Sequence, residues 1–414
     1  MSNISLILLA IILIINYFIY KRYKYSKKIY IISLIFIIIN FAFIYLIYYN
    51  NLSLGFEEGI VFGDKLGLLA TDEYKYFMES EHLVYNLESF GGFKAYLNGQ
   101  LVTYPFKVDN KPYGIYNHFV FILAVLKCLG ITKLLDLLTL KLIFTVFNTY
   151  LIYSISRRFL SEKLSLLVTI VFNIAPAYIL INATLVRDNI IITIILSIIL
   201  LIIKSQWNYI NIIILALMII FLSIFRIYTL FSLIVTLIFT FKKSTKVINK
   251  LDISFIILFI VGLFLFDKLP TNIGEIDYLQ YNYHEYFGVG IEGMITLVFQ
   301  TIKNIFVRGL FLNTLPTKSI YVILIVLGAV YYMILVPIFI YKVIIILFID
   351  KDETKIWLCK FTIYFTLFNG LILMLKDVMI PTRLSIMWYL LHIIIIFLPV
   401  KKFNFTHKNI ESKI

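Results

Sequence analysis

Read along its length, the chain alternates long uncharged apolar stretches with short clusters of charge. "ISLILLAIILIINYFIY" (4–20) and "IYIISLIFIIINFAFIYLIYY" (29–49) hold no ionic side chain. A helix needs about 20 such residues to cross a hydrocarbon core. Only helices and closed barrels satisfy their backbone groups there, and unbroken apolar runs lack the alternation of barrel strands. The pattern predicts an all-α, polytopic transmembrane bundle. Spans are expected near 4–20, 29–49, 137–156, 164–183, 186–203, 207–225, 227–241, 252–267, 319–342, 357–375 and 378–399. That is about eleven spans in one integral membrane domain, 1–414. The stretch "GIYNHFVFILAVLKCLGI" (114–131) fits either a twelfth span or a helix lying on the outer membrane surface.

Composition agrees with this pattern. The 414 residues are 61% hydrophobic, with mean hydropathy +0.96. A net charge of +14 would suggest nucleic acid in a soluble chain. In a membrane protein, Lys and Arg gather on cytoplasmic loops instead. With 114–131 lying on the surface, one side receives 21 of the 37 Lys and Arg but only 6 of the 23 acids. A crossing at 114–131 would turn "SRRFLSEK" and "FKKSTKVINK" outward, so the eleven-span arrangement is expected, with a cytoplasmic C-terminus. The basic run "KRYKYSKK" follows the first apolar run, which suits a retained span over a cleaved signal. Cys128 and Cys359 lie in apolar stretches without the spacing of a disulfide framework or metal site. The Ile, Asn and Lys bias hints at a bacterial plasma-membrane protein.

This arrangement leaves two long exterior segments, 50–136 and 268–318. Loops of that length are usually functional. The first contains "LLATDEYKYFMESEHL", with Asp72 and Glu73 beside Tyr74 and Tyr76. Other ionisable residues fall at exterior helix ends: Arg187 and Asp188 in "NATLVRDNIII", Arg226 in "SIFRIYTLF", and Lys376, Asp377 and Arg383 in "LKDVMIPTRLS". Arg308 lies in the second loop. Charges at membrane boundaries are costly and tend to mark function. Arginine clamps phosphate oxygens through a planar fork. A carboxylate can accept a proton from an attacking hydroxyl. The ring faces and hydroxyl tips of Tyr278, Tyr281, Tyr283 and Tyr286 suit sugars, and His118 is a further candidate. Plainer readings exist for each: a wet helix face for Asp72 and Glu73, snorkelling or a cap with Asp188 for Arg187, lipid contact for Arg308, interfacial anchoring for the tyrosines.

"TDEYKYFMES", "NKPYGIYNHFVF" and "SISRRFL" together resemble the GT-C membrane glycosyltransferases. The similarity is to the polyprenyl-phosphate-dependent type that includes protein mannosyltransferases and the aminoarabinose transferase of lipid A. It covers about residues 29 to 240. The resemblance implies Asp72 as catalytic base with Glu73 as its neighbour, and 114–131 as a juxtamembrane helix. It implies a lipid-linked sugar donor, a glycan or lipid-linked acceptor, and an active site facing outward. Arg187, Arg226, Lys376, Arg383 and Arg308 are then the candidates for the lipid phosphate. Tyr74, Tyr76, His118 and Tyr283 are the candidates for sugar or acceptor contact. The chain departs from the family in its additional 4–20 span and in the single Pro112 where two prolines are usual.

Two other readings stay open. A repeat-unit polymerase of the O-antigen or capsule type shares the span number and the basic exterior residues, but usually carries its large loops mid-chain. A lipid-oligosaccharide flippase or other transporter would place polar residues near the midplane. No cofactor beyond the lipid-linked donor is implied. Asp72, Glu73 and a water could hold a divalent ion, but the sequence offers no further ligand set.

Overall fold

The computed structural model describes residues 3–60, 72–89, 107–108, 111–112, 118–204, 208–240, 253, 275–306, 319–350, 352–377 and 382–400. In chain order the early helices are α1 (Asn3–Arg22), α2 (Lys27–Ser53), α3 (Asp72–Ser89) and α4 (His118–Cys128). They are followed by α5 (Leu134–Ser156), α6 (Glu162–Asn173), α7 (Pro176–Ala183), α8 (Asp188–Lys204) and α9 (Tyr209–Thr240). The later ones are α10 (Glu275–Phe287), α11 (Gly290–Phe306), α12 (Ile320–Ile345), α13 (Glu353–Asp377) and α14 (Thr382–Phe397). Among the described residues the strand pairing is one short antiparallel contact, β1 (Lys107–Val108) with β2 (Lys111–Pro112).

Among the described residues, six helices are long and apolar enough to cross a membrane: α1, α2, α5, α9, α13, and α12 with the π turn that continues it to Asp350. The bent pair α6 and α7, at 58° to each other, makes a seventh if taken as one span. This marks a membrane protein, but it differs from a count of eleven. Among the described residues, helices α8 and α14 have 17 and 16 residues, short of a straight crossing of about 20. The stretches expected as separate spans at 207–225 and 227–241 form one 32-residue helix, α9, broken in its geometry at Arg226 (φ −161°, ψ 82°). The break falls at the residue expected to separate them, so α9 is two helical segments joined across a kink. The expected span at 252–267 lies almost wholly outside the described residues.

The chain forms two compact units. The first comprises 1–230, 308–332 and 381–390; the second comprises 231–307, 333–380 and 391–414. In the first, α1 and α5 run in the same direction. Ser5 donates to Asp136 at their starts. Tyr150 donates to Asn16 at 3.0 Å further along, and Tyr25 meets Ser154 at 2.7 Å near their ends. Helix α2 returns antiparallel after a short turn, with Ser33 bonded to Asn16 at 2.9 Å. The start of α1, the end of α2 and the start of α5 therefore share one end of the unit. The segment 54–133 leaves and re-enters at that end.

Helix α4 fits this path. Its 11 described residues span about 16 Å, less than a crossing needs. Phe119, Val120, Leu123 and Ala124 are buried, and α4 packs against α3. Ile122, Val125 and Leu129 form an exposed apolar stripe at helical spacing. Such a helix suits the membrane interface. Helix α1 likewise buries Leu8 and Ile12 while leaving Ile7, Ile14 and Phe18 about 60% exposed, an apolar outer face that water would not tolerate at this extent.

The interior of the first unit is polar in places. Asn148 donates to Tyr178 at 3.0 Å and accepts from Thr193 at 2.8 Å, tying α5 to α7 and α8. Asn182 donates to Asn40 at 3.1 Å, tying α7 to α2. Bonds of this kind hold membrane helices together where the hydrophobic effect cannot. The α6–α7 bend falls at Pro176, which occupies the first turn of α7, where a missing N–H costs nothing.

In the second unit, α10 and α11 join through Gly288 (φ 93°) and Gly290 (φ 65°). A side chain on Gly293 would collide with the Gly288 carbonyl, so the turn requires glycine there. Asn282 donates to the carbonyls of Leu375 and Lys376 at 3.0 and 2.9 Å, fixing α10 against the end of α13.

Candidate functional site

The α7–α8 turn, 184–187, is the place where α3, α5, α8 and α9 bring charge together. Helix α7 stops at Ala183, and Thr184 turns extended (φ −122°, ψ 152°). Ending a helix leaves carbonyls without partners. Buried Lys141 of α5 supplies them: its ammonium donates to Ile181 O at 3.2 Å and to Thr184 O. From α3, the buried Glu73 carboxylate accepts the Leu185 N–H at 2.6 Å. A charged acceptor on a backbone donor is a strong bond. Glu73 and Asp188 are the two carboxylates that act on the Lys141 charge.

Asp188 opens α8. Its carboxylate accepts from Arg226 Nη2 at 2.6 Å, with both side chains almost fully buried. The Arg226 guanidinium also lies 3.7 Å from Met387 Sδ and 5.5 Å from the Tyr228 ring centre. The break in α9 is thus where a buried arginine turns to meet a carboxylate 38 residues earlier. Arg187 differs. It is half-buried, and its Nε is enclosed without a hydrogen-bond partner. Among the described residues its side chain makes no ion pair. An arginine left so in a group of buried charges can take an external anion.

Asp72 is half-buried at the first residue of α3, next to Glu73. Further along α3, Glu79 is buried and lies 3.7 Å from Lys75. Burial pushes its carboxyl up to about 7, against the opposing pull of Lys75 and with a small push from Asp72. Lys127 of α4 donates to Phe77 O at 3.1 Å, pairs with Glu81 at 3.3 Å and lies over the Phe77 ring at 3.7 Å. Burial pulls its ammonium down to about 8, with Glu81 opposing. These contacts lock α4 onto α3.

The structure therefore brings Asp72, Glu73, Arg187 and Arg226 into one unit, with Glu73, Asp188 and Arg226 each carrying a structural bond. The Arg187–Asp188 cap read from adjacency is replaced by the Arg226–Asp188 pair. Tyr74 and Tyr76 are buried, and Tyr76 meets Phe119 of α4 edge-on at 5.3 Å, so its ring serves the α3–α4 packing. His118 is exposed at the start of α4. Tyr283 is fully buried in the second unit, where its hydroxyl donates to Gly290 O at 3.1 Å. Lys376 is half-buried at the end of α13, also in the second unit. Arg308 and the side chain of Arg383 lie outside the described residues.

Sequence reading missed Lys141, Glu79 and Lys127. Lys141 in "LTLKLIF" had a signal: a lone cation within an apolar helix is costly enough to demand a partner or a purpose. Among the described residues, no group of three or more His, Cys, Asp or Glu could hold a metal ion. Comparison with known protein families, curated proteins and solved structures finds no match.

Proposed function

We propose that this protein is a membrane glycosyltransferase. It takes a sugar from a polyprenyl phosphate or diphosphate and transfers it to a surface glycan or lipid-linked acceptor on the outer face of the membrane. The observation that carries the reading is the position of Asp72, beside the docked Glu73 and on the same unit as Arg187, which makes no ion pair among the described residues. Asp72 takes the proton of the acceptor hydroxyl. The oxygen attacks the anomeric carbon, and the bond from that carbon to the phosphate oxygen breaks. The lipid phosphate leaves with the electron pair, which Arg187 stabilises. Glu73 positions Asp72 through its bond to Leu185, and the Arg226–Asp188 pair holds the α7–α8 turn in place. One-step displacement gives inversion at the anomeric carbon.

The reading extends to topology. Arg22, Arg157, Arg158 and Lys204 cluster at the end of the first unit where α1, α5 and α8 finish. Glu73, Asp188 and Arg226 lie at the opposite end. Placing the basic end in the cytoplasm sets the carboxylates outside, as the positive-inside rule asks. Eleven crossings would follow if α8 and α14 cross as short spans, α9 as two and 252–267 as one.

A flippase or transporter is the second reading, favoured by one observation. The α6–α7 span is broken by 58° at Pro176, and Asn148, Tyr178 and Thr193 line a polar interior. Broken helices of this sort form midplane sites in transporters. A glycan and lipid-linked intermediate profile of cells carrying Asp72→Asn, at matched protein level, separates the readings. Loss of one sugar from an otherwise intact glycan supports the transferase. Single capped repeats without a ladder indicate a polymerase, and intermediates held on the cytoplasmic face a flippase. An unchanged profile removes Asp72 from the site.

A further inference from the structure

At the end of the first unit opposite Glu73, helices α1, α5 and α8 border a half-open cavity of about 870 Å³. One part of its wall is apolar, with Ile15, Phe18, Leu151 and Leu200. The part at the helix ends carries Arg22, Arg157, Arg158 and Lys204, and among the described residues no carboxylate lines the cavity. Arg157 is engaged, donating to Leu160 O at 3.0 Å. Arg22, Arg158 and Lys204 are exposed, and among the described residues their side chains have no hydrogen-bond or ion-pair partner. Tyr150, Ser154, Thr193 and Ser197 also line it, with their hydroxyls engaged in bonds within the bundle.

Cations at helix C-termini are ordinary, since they complement the helix dipole. They are ordinary too on the cytoplasmic side of a membrane. Neither rule calls for a cavity between three helices, walled in part by apolar side chains and, among the described residues, by no acid. That combination is amphipathic in the sense of a lipid: charge for a head group at one side, hydrocarbon contact at the other. Arginine and lysine are the usual partners of phosphate oxygens. Basic pockets between membrane helices take anionic head groups on this principle.

We propose that the cavity binds an anionic phosphate lipid. Arg22, Arg158 and Lys204 hold its head group, and the first part of its chain lies along Ile15, Phe18, Leu151 and Leu200. A zwitterionic head group would bring its own cation against four others and is disfavoured. A bilayer phospholipid and a polyprenyl phosphate share the chemistry required. The proposal does not depend on the sugar-transfer reading.

The test is lipid retention by the full-length protein in native mass spectrometry, with phosphatidylglycerol, phosphatidylcholine or polyprenyl phosphate added. Phosphatidylglycerol should be retained over phosphatidylcholine. Each cation near an anionic head group is worth about fivefold in affinity, so Arg158→Ala with Lys204→Ala should lower retention about thirtyfold. Ser197→Trp keeps every charge but fills the cavity, and should lower retention as well. Lys21→Ala removes a cation at the same helix end that does not line the cavity, and should leave retention unchanged. Displacement of phosphatidylglycerol by equimolar polyprenyl phosphate identifies the carrier lipid as the occupant; resistance identifies the bilayer phospholipid. Equal retention of phosphatidylcholine, a loss in Lys21→Ala as large as in the double variant, or full retention in a folded Ser197→Trp overturns the proposal. If Ser197→Trp aggregates, the double variant and the Lys21→Ala control decide the matter alone.

Discussion

Arg226 and Asp188, 38 residues apart, form an ion pair of 2.6 Å that is almost wholly out of contact with solvent. Removing one partner of such a pair strands a buried charge, at a cost of about 3–5 kcal/mol. Arg226→Ala should therefore unfold at markedly lower temperature or denaturant concentration. Replacing both partners with apolar side chains of similar size, as in Arg226→Met with Asp188→Leu, should recover most of the loss. Thermal unfolding of the purified protein reads both, and native-like melting of Arg226→Ala would contradict the pairing.

Arg187, the neighbour of Asp188 in sequence, should behave in the opposite way. It makes no ion pair among the described residues, so Arg187→Ala should stay within about 0.5 kcal/mol of native stability. If it stabilises the leaving phosphate, transfer from a lipid-linked donor should fall by about 10²-fold. Single-turnover transfer with a polyprenyl-phosphate sugar measures this. A stable variant with native rate would move the phosphate site elsewhere.

The contrast between these two arginines shows where the sequence could be read and where it could not. The apolar runs announced the helices because period and length suffice for that. Arg226 looked like a corner between two spans, since a lone charge inside one span is expensive. The backbone does break there, at φ −161° and ψ 82°, and only the fold reveals that Asp188 neutralises the arginine at the kink. Adjacency suggested pairing Arg187 with Asp188, but the start of α8 aims the carboxylate at α9. Tyr76 looked exposed and sugar-facing beside two acids, whereas the periodicity of α3 turns it onto Phe119 of α4. Long-range partners of this kind leave no local pattern.

Glu73 ties α3 to the α7–α8 turn through the Leu185 amide. A hydrogen bond to a charged group is worth about 1.5–3 kcal/mol. Glu73→Ala should deprotect the Leu185 amide in hydrogen exchange by the corresponding factor while leaving the core of α5 protected. Unchanged exchange at Leu185 would show that another acceptor holds it.

Glu79 makes stability depend on pH in a defined direction. Its folded carboxyl titrates near 7, above the ordinary 4.5 of the unfolded chain. Between those values the folded protein keeps a proton that the unfolded chain has released. The contribution is complete below about 4.5 and is lost as pH rises through about 7. Glu79→Gln mimics the protonated form and gives up only the partly exposed Lys75 pair, which is worth little. It should be more stable than the native protein at pH 8, with the difference shrinking towards pH 5. A constant difference across that range would mean that Glu79 stays ionised in the fold.

Orientation can be decided by labelling from one side of the membrane. Tyr85 is 62% exposed on α3, in the segment that leaves and returns at the carboxylate end of the first unit. Lys163 is exposed at the start of α6, six residues past Arg157 and hence beside the basic end. Cys128 is exposed and Cys359 buried, so both should first be replaced by serine and alanine respectively. In intact cells, a membrane-impermeant maleimide should then label Tyr85→Cys and spare Lys163→Cys, which should react only after permeabilisation. The reverse pattern would place the carboxylates in the cytoplasm. Asp72 would then need a donor made and used on that side, and the basic end would violate the charge asymmetry that governs membrane insertion. Labelling of both in intact cells would mean that the 23–26 turn and the 157–161 turn do not lie across a bilayer from α3, and the bundle would have to sit in the membrane with its helices far from the normal.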